Sequence, residues 1–136
     1  MYFLYNIFGI IFFLISPFIL IFRIINGKED LKRILEKYSY YNNKKTDITL
    51  WFHGASVGEI MSILPLINEF EKDKKIKKIL LTSSTRSSAS IIQKKSFKKT
   101  THIYYPFDIG FICNNFLNYW EPKIAIFVDS EIWPNM

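Results

Sequence analysis

The chain has 136 residues, a formal net charge of +6 and 49% hydrophobic residues, enough for one ordinary domain or for a membrane segment joined to a small one. Its single cysteine, Cys113, excludes an intrachain disulfide, so nothing marks an oxidised, secreted scaffold. The averages conceal two unlike parts: residues 1–26 carry one charge, Arg23, and nearly all the others follow Gly27.

Tyr2 to Phe22 is apolar except for Asn6, Ser16 and Pro17. A helix needs about 20 apolar residues to cross a bilayer core, and this run meets that length. No basic region precedes it and no Ala-x-Ala site follows, which argues against a cleaved signal peptide. Tyr2 and Tyr5 stand at one end, and Arg23, Lys28, Lys32 and Arg33 follow the other. Positive residues favour the cytoplasmic side, so the rest of the chain is expected there. Pro17 interrupts a straight spanning helix, which leaves a half-inserted anchor open beside a spanning one.

Lys28 to Lys37 has Leu31, Ile34 and Leu35 at helical spacing among charges, which predicts a short amphipathic helix with basic residues toward lipid head groups or solvent. Tyr40 to Asp47 reads as a linker. Then strands and helices alternate. Strands are predicted at Ile48–His53, Ile79–Ser83, His102–Tyr105 and Lys123–Val128. Helices are predicted at Glu59–Phe70, with Ile60, Ile63, Leu64, Ile67 and Phe70 on one side, at Arg86–Lys95 and at Ile109–Trp120. Pro65 predicts a kink in the first of these. Cys113, in an apolar stretch, reads as a buried structural thiol. The alternation predicts an α/β fold with a parallel sheet, whose ligands bind beyond the carboxyl ends of the strands.

The loops at those ends carry the candidate chemistry. The first, His53 to Glu59, contains Gly54, Ser56, Gly58 and Glu59 at a strand-to-helix junction. Its amides suit an anion, and Glu59 is either a functional carboxylate or a helix-dipole partner. Gly54-Ala55-Ser56-Val57-Gly58 also fits the G-x-S-x-G nucleophile elbow of serine hydrolases. However, His102 precedes Asp108 and Asp129, the wrong order for that triad. The second loop, Thr82 to Ser88, combines hydroxyls with Arg86 and reads either as a polar binding loop or as a capped turn. The last, Asp129 to Asn135, brings Asp129, Glu131, Trp133 and Asn135 to a strand end, a set suited to sugar recognition or to a plain surface turn.

Trp51-Phe52-His53-Gly54-Ala55-Ser56-Val57-Gly58-Glu59 and Asp129-Ser130-Glu131-Ile132-Trp133-Pro134-Asn135 resemble signature segments of the 3-deoxy-D-manno-octulosonic acid (Kdo) transferase family. Tyr104-Tyr105-Pro106-Phe107-Asp108 is similar to a third segment. Gly27-Lys28-Glu29 with Arg33 is similar to the family's juxtamembrane pattern. The resemblance implies a glycosyltransferase of lipopolysaccharide biosynthesis that moves Kdo from CMP-Kdo to a lipid A precursor at the bacterial inner membrane, its catalytic part on the cytoplasmic face. It implies a GT-B fold of two Rossmann-like halves, with no cofactor, no metal at the active centre and no nucleic-acid partner. This chain then corresponds to an N-terminal membrane-anchor helix, 1–26, a juxtamembrane basic helix and linker, 27–47, and an incomplete N-terminal acceptor-binding half, 48–136. The C-terminal donor half is missing, so the chain alone is expected to be inactive.

By the same resemblance Glu59 is the general base and Glu131 a second acidic residue near the acceptor. Ser56, Gly58, Trp133 and Asn135 are substrate-binding, and Arg86 with the juxtamembrane lysines suits the acceptor's phosphates. Thr85-Arg86-Ser87-Ser88 departs from the family's Thr-Gly pair in the second loop. The alternative of another class is a non-catalytic, membrane-tethered lipid-binding remnant.

Overall fold

The computed structural model describes residues 2–42, 47–129 and 133–136. Four parallel strands, β1 (Leu50–Gly54), β2 (Ile79–Ser83), β3 (Thr100–Tyr104) and β4 (Ile124–Phe127), form one sheet in the order β3-β2-β1-β4. Leu50 pairs with Ile79 on one side and Ile124 on the other, so β1 is central. β1 and β2 are buried along their whole length, as continuous apolar strands of a sheet covered on both faces must be.

Alternation along the strands divides the core in two. Leu50, Phe52, Ile79 and Leu81 face helices α2 (Val57–Lys72) and α3 (Arg86–Gln93), meeting Ile60, Ile63, Leu64, Ile67 and Ile92. Trp51, Leu80, Ile103 and Tyr105 face the opposite way, toward Phe116 and Trp120 of α4 (Gly110–Trp120). The chain thus steps outward from β1 through β2 to β3 under one pair of helices, then returns under α4 to place β4 beside β1. This is the doubly wound order, and its direction reverses between β1 and β4.

The expected helix faces and strands are present, with small shifts at their ends. α2 begins two residues before Glu59 and runs through Pro65 to Lys72 as one helix. Pro65 and Met61, whose carbonyl loses its donor, are both exposed, so water can satisfy that group. Cys113 is buried and donates weakly to the Phe107 carbonyl (3.6 Å) and Asp108 Oδ1 (3.4 Å). Burial, then the neighbouring Asp108 charge, pushes its thiol up to about 12, so it is an inert structural group.

The first helix, α1 (Tyr2–Ile25), is the one described helix long and apolar enough to cross a membrane. It does not stand free. One flank lies on the α/β unit in its first half and on the segment of residues 29–38 in its second. Tyr5 donates to Asp108 (2.7 Å), Phe12 packs edge-on to Phe107, Phe13 meets Tyr38 and Phe111, Ser16 bonds Tyr38 (2.7 Å) and Arg23 bonds Glu29 (2.7 Å). The other flank exposes Phe3, Leu4, Phe8, Ile11, Leu14, Phe18 and Phe22.

The segment after α1 corrects the expected amphipathic helix. Leu31–Tyr38 is a 3-10 helix, capped by Asp30 at Lys32 N–H (3.0 Å), with Ser39 closing it in the left-handed region (φ 58°). Its polarity is inverted. Leu31 and Leu35 are exposed, whereas Lys37 is buried and Arg33 half-buried. The charges turn inward because partners wait there. Arg33 grips both oxygens of Glu36 (2.7 and 2.8 Å) and the His102 carbonyl (2.8 Å), Glu36 accepts from Tyr104 N–H (2.8 Å), and Lys37 joins Arg23 on buried Glu29 (3.0 Å). Arg33 and Lys37 are therefore not head-group contacts, though Lys28 and Lys32 are free of that constraint.

Candidate functional site

The reversal between β1 and β4 fixes where a ligand crevice opens. Val128 N–H donates to the His53 carbonyl (3.0 Å), so the loops after these two strands leave the sheet side by side. One carries Ser56, Gly58 and Glu59. The other carries Glu131, Trp133 and Asn135, of which Glu131 lies outside the described residues.

The first loop is built around a reciprocal cap. Ser56 is the N-cap of α2, with Oγ accepting from Glu59 N–H (3.2 Å). Glu59 answers from the first turn: Oε1 accepts from the Ser56 hydroxyl (2.6 Å) and Oε2 from Ala55 N–H (2.8 Å). These bonds, the Ser56 hydroxyl foremost, hold the Glu59 carboxyl below its usual range. Glu59 is therefore ionised at neutral pH, as a base must be, and each oxygen already accepts one donor. An acceptor hydroxyl entering here would add to, or displace, the Ser56 bond. The same geometry removes the hydrolase reading, because the Ser56 hydroxyl proton is given to Glu59 and no histidine bonds Ser56 among the described residues.

Gly54 is closely packed. A Cβ there would sit 3.1 Å from Ile60 Cδ1 and 3.2 Å from Glu59 Cβ, so its absence lets α2 start hard against β1. Gly58 has no such constraint. Its φ is not positive, and a Cβ would meet only Ser56 Oγ at 3.9 Å. It leaves open backbone over the first turn of α2.

Beneath this loop lies a buried polar cluster that no local sequence pattern singles out. Thr82 Oγ1 accepts from Trp51 Nε1–H (3.0 Å), bonds His53 Nδ1 (2.9 Å) and reaches the Phe52 carbonyl (3.3 Å). Its one proton serves either the carbonyl or His53 Nδ1, and the His53 tautomer follows from which. His53 Nε2 is buried without a partner among the described residues. His53 stacks on Tyr105 at 3.9 Å, and burial brings its pKa down to about 4. The Glu59 carboxylate works weakly against that burial by favouring the protonated ring. The only local signal was a histidine closing an apolar strand.

Two cavities open near α1, neither of them lined by Ser56, Gly58 or Glu59. An apolar one of about 370 Å³ opens between α1 and the strand-end loops, lined among others by Phe8, Phe12, Tyr105, Phe107 and Trp133, with Lys37 and Asp108 at its edge. A polar one of about 390 Å³ contains Arg86. Arg86 donates from Nη1 to the Gly27 carbonyl (2.7 Å), so it belongs with the end of α1 and not with the Glu59 loop. Trp133 packs 6.2 Å from Tyr105 at the apolar cavity. Asn135 is tied to Asp108: its N–H donates to Oδ2 (3.0 Å) and its Nδ2 to the Asp108 carbonyl (2.8 Å). Of the expected substrate residues, then, Ser56, Gly58 and Glu59 form one loop, Trp133 faces the neighbouring cavity, Arg86 sits apart and Asn135 holds its own loop. Among the described residues no group of three His, Cys, Asp or Glu side chains is placed to hold a metal ion.

Residues 32–136 match the sequence model of a family described as 3-deoxy-D-manno-octulosonic-acid transferase (kdotransferase). The chain is 39% identical over 126 residues to the 3-deoxy-D-manno-octulosonic acid transferase of Rickettsia bellii, covering 90% of this chain and 30% of that protein. It is 33% identical over 108 residues to the enzyme of that name from Aquifex aeolicus, covering 79% and 29% respectively. Against the one from Haemophilus influenzae it is 29% identical over 107 residues, 77% of this chain and 25% of the relative. The chain thus spans about 30% or less of the length of these curated relatives.

Proposed function

This chain belongs to the 3-deoxy-D-manno-octulosonic-acid transferase family, and from that premise we propose that it forms the acceptor side of an enzyme transferring Kdo from CMP-Kdo to a lipid A precursor. The observation that carries the reading is an ionised Glu59 in the loop after β1, at the β1/β4 reversal, with an apolar cavity between α1 and the loops after β2, β3 and β4. A sugar hydroxyl is a weak nucleophile until its proton leaves. Glu59 takes that proton as the bond to Kdo forms, and CMP departs with its own phosphate charge. General-base assistance of this kind contributes about 10²–10⁴-fold. Glu131 supplies a second carboxylate from the adjacent loop, and Gly58 gives the acceptor room beside Glu59. The doubly wound order supports assigning residues 48–136 to one Rossmann-like half of a GT-B enzyme, with 1–26 as anchor and 27–47 as the juxtamembrane link.

The anchor lies in the membrane surface on the cytoplasmic face of the inner membrane. Its contacts with the α/β unit and with the 27–47 link run from Tyr5 to Arg23, about 27 Å of helix axis. The hydrocarbon core is about 30 Å thick. A perpendicular α1 would drag the docked polar unit into lipid, whereas an in-plane α1 buries only its exposed flank.

The test uses the whole gene product with CMP-Kdo and a lipid A precursor. Glu59→Gln is expected to lower the rate at least about 10²-fold while acceptor binding changes little. Transfer near the wild-type rate removes Glu59 as the base. Absence of transfer by the unaltered gene product favours a lipid-binding remnant instead.

A further inference from the structure

The two charged side chains at the edge of the apolar cavity under α1 are already engaged. Asp108 accepts from Tyr5, Cys113 and the N–H groups of Asn135 and Met136, and Lys37 donates to Glu29 (3.0 Å). Most of the remaining wall is aromatic or aliphatic. Water settles in such a space only where polar partners hold it, and an apolar cavity of about 150 Å³ is known to stay dry and to take benzene. This one is about 370 Å³. By that comparison it has room for roughly ten carbons. Gly9 of α1 lines it too. Glycine is a poor residue for a helix interior. What it leaves here is space: within 4 Å an added Cβ would meet only Ile109 Cγ1, at 3.8 Å. Tyr5, Phe8, Gly9 and Phe12 recur at helical spacing, and Phe8 is 67% exposed, so the wall of the cavity runs into the outer flank of α1.

We propose that this cavity seats one acyl chain of a bilayer phospholipid, which enters past Phe8 from the lipid beside α1. A sugar or a nucleotide would find its polar groups unanswered there. A peptide helix does not fit, since a single turn, about 10 Å across and 5.4 Å long, already exceeds the volume. No residue of the Glu59 loop lines the cavity, so Trp133 meets a hydrocarbon chain and not the reacting sugar. A chain gains little by exchanging one hydrocarbon environment for another. The gain is in contacts, because an empty cavity leaves its walls without packing partners on one side. The proposal rests on the membrane placement of α1 and not on the transfer reaction.

The test reconstitutes the full chain in phosphatidylcholine vesicles, with neither nucleotide sugar nor acceptor present. The lipid chains are either plain or brominated at mid-length. Bromine quenches an indole only at close range. Trp51 and Trp120 are buried, whereas Trp133 is 41% exposed and lines the cavity, so subtracting the Trp133→Phe signal isolates the reporter. The wild-type chain is expected to lose most of its Trp133 emission in brominated lipid. Gly9→Leu and Ser84→Leu fill the cavity from the helix side and from the loop side, and each is expected to restore that emission. Gly9→Ala keeps most of the quenching. Leucine is the better helix former at position 9 and Ser84 lies off the helix, so the two filling variants share no folding defect. Vesicle flotation, measured on every variant, is expected to be unchanged. A wild-type chain that floats with Trp133 unquenched overturns the proposal and leaves the membrane placement standing. Quenching that survives both filling variants does the same, because it then reports nearness to lipid alone. A wild-type chain that does not float overturns both.

Discussion

Acidification should unfold this chain well before its carboxylates are all protonated, and the reason lies in two imidazoles. His53 is lowered from an ordinary 6.5 to about 4, by burial chiefly. His102 is lowered from 6.5 to about 3, by burial and then by Arg33. The hydrogen bonds explain the second case. Arg33 can only donate, so His102 Nδ1 accepts from it (3.1 Å) and the ring proton sits on Nε2, toward Ser83 Oγ (2.9 Å). A second proton would have to occupy Nδ1, facing a guanidinium. Below pH 6.5 the unfolded chain binds protons that the folded chain refuses, so stability is complete above that value and falls as pH drops toward 4 and 3. At about pH 4.5 each site has cost roughly 2.5 kcal/mol, and the pair about 5 kcal/mol, at about 1.36 kcal/mol per pH unit. That approaches the whole stability of an ordinary domain, about 5–15 kcal/mol. Urea unfolding in mild detergent, followed by tryptophan fluorescence at stepped pH, measures it. His102→Asn lowers the starting stability by removing two bonds, but it should flatten the pH slope by about half. A midpoint constant from pH 7 to about 4.5, or an unchanged slope in His102→Asn, refutes the argument.

Other consequences are equally direct. Thr82→Val strands both Trp51 Nε1 and His53 Nδ1 in the core and should cost about 2–4 kcal/mol in chemical denaturation, with little change in overall shape. Ser56→Ala removes the cap of α2 and should cost about 1 kcal/mol, whereas Glu59→Gln, which keeps an acceptor toward Ala55 N–H, should cost less; the two are compared by thermal midpoint. Because Cys113 is buried, cysteines introduced at Leu4, Ile11 and Phe18 accept spin labels selectively, and all three should report the same shallow depth in bilayers. A depth that changes steadily along the helix would mean that α1 spans.

The sequence was most informative where structure follows local periodicity. Ile60, Ile63, Leu64 and Ile67 announced the buried face of α2, and the short apolar runs announced parallel strands, because each is a property of neighbours along the chain. The candidate loop was legible for the same reason, since glycines and Ser56 mark a strand-to-helix turn. What escaped were contacts between distant segments. Arg33 and Lys37 looked like a solvated or lipid-facing set until His102, Tyr104 and Glu29 were seen to receive them. His53 looked like a strand residue until Thr82, 29 positions away, oriented its ring. Arg86 fell in a candidate loop by sequence, yet the end of α1 claims it. Pro65 predicted a kink, and α2 runs on through it as one helix to Lys72.

Asp108 gathers four donors from three parts of the chain: Tyr5 of the first helix, Cys113 of α4, and the backbone N–H groups of Asn135 and Met136 beyond β4. One side chain therefore fastens the lipid-facing helix to the segment that brings Trp133 to the crevice. Lifting α1 off the protein takes a donor from that carboxylate and loosens the far wall of the crevice together with it. On the membrane placement proposed above, a bilayer pressing α1 into its seat would become a working part of the pocket.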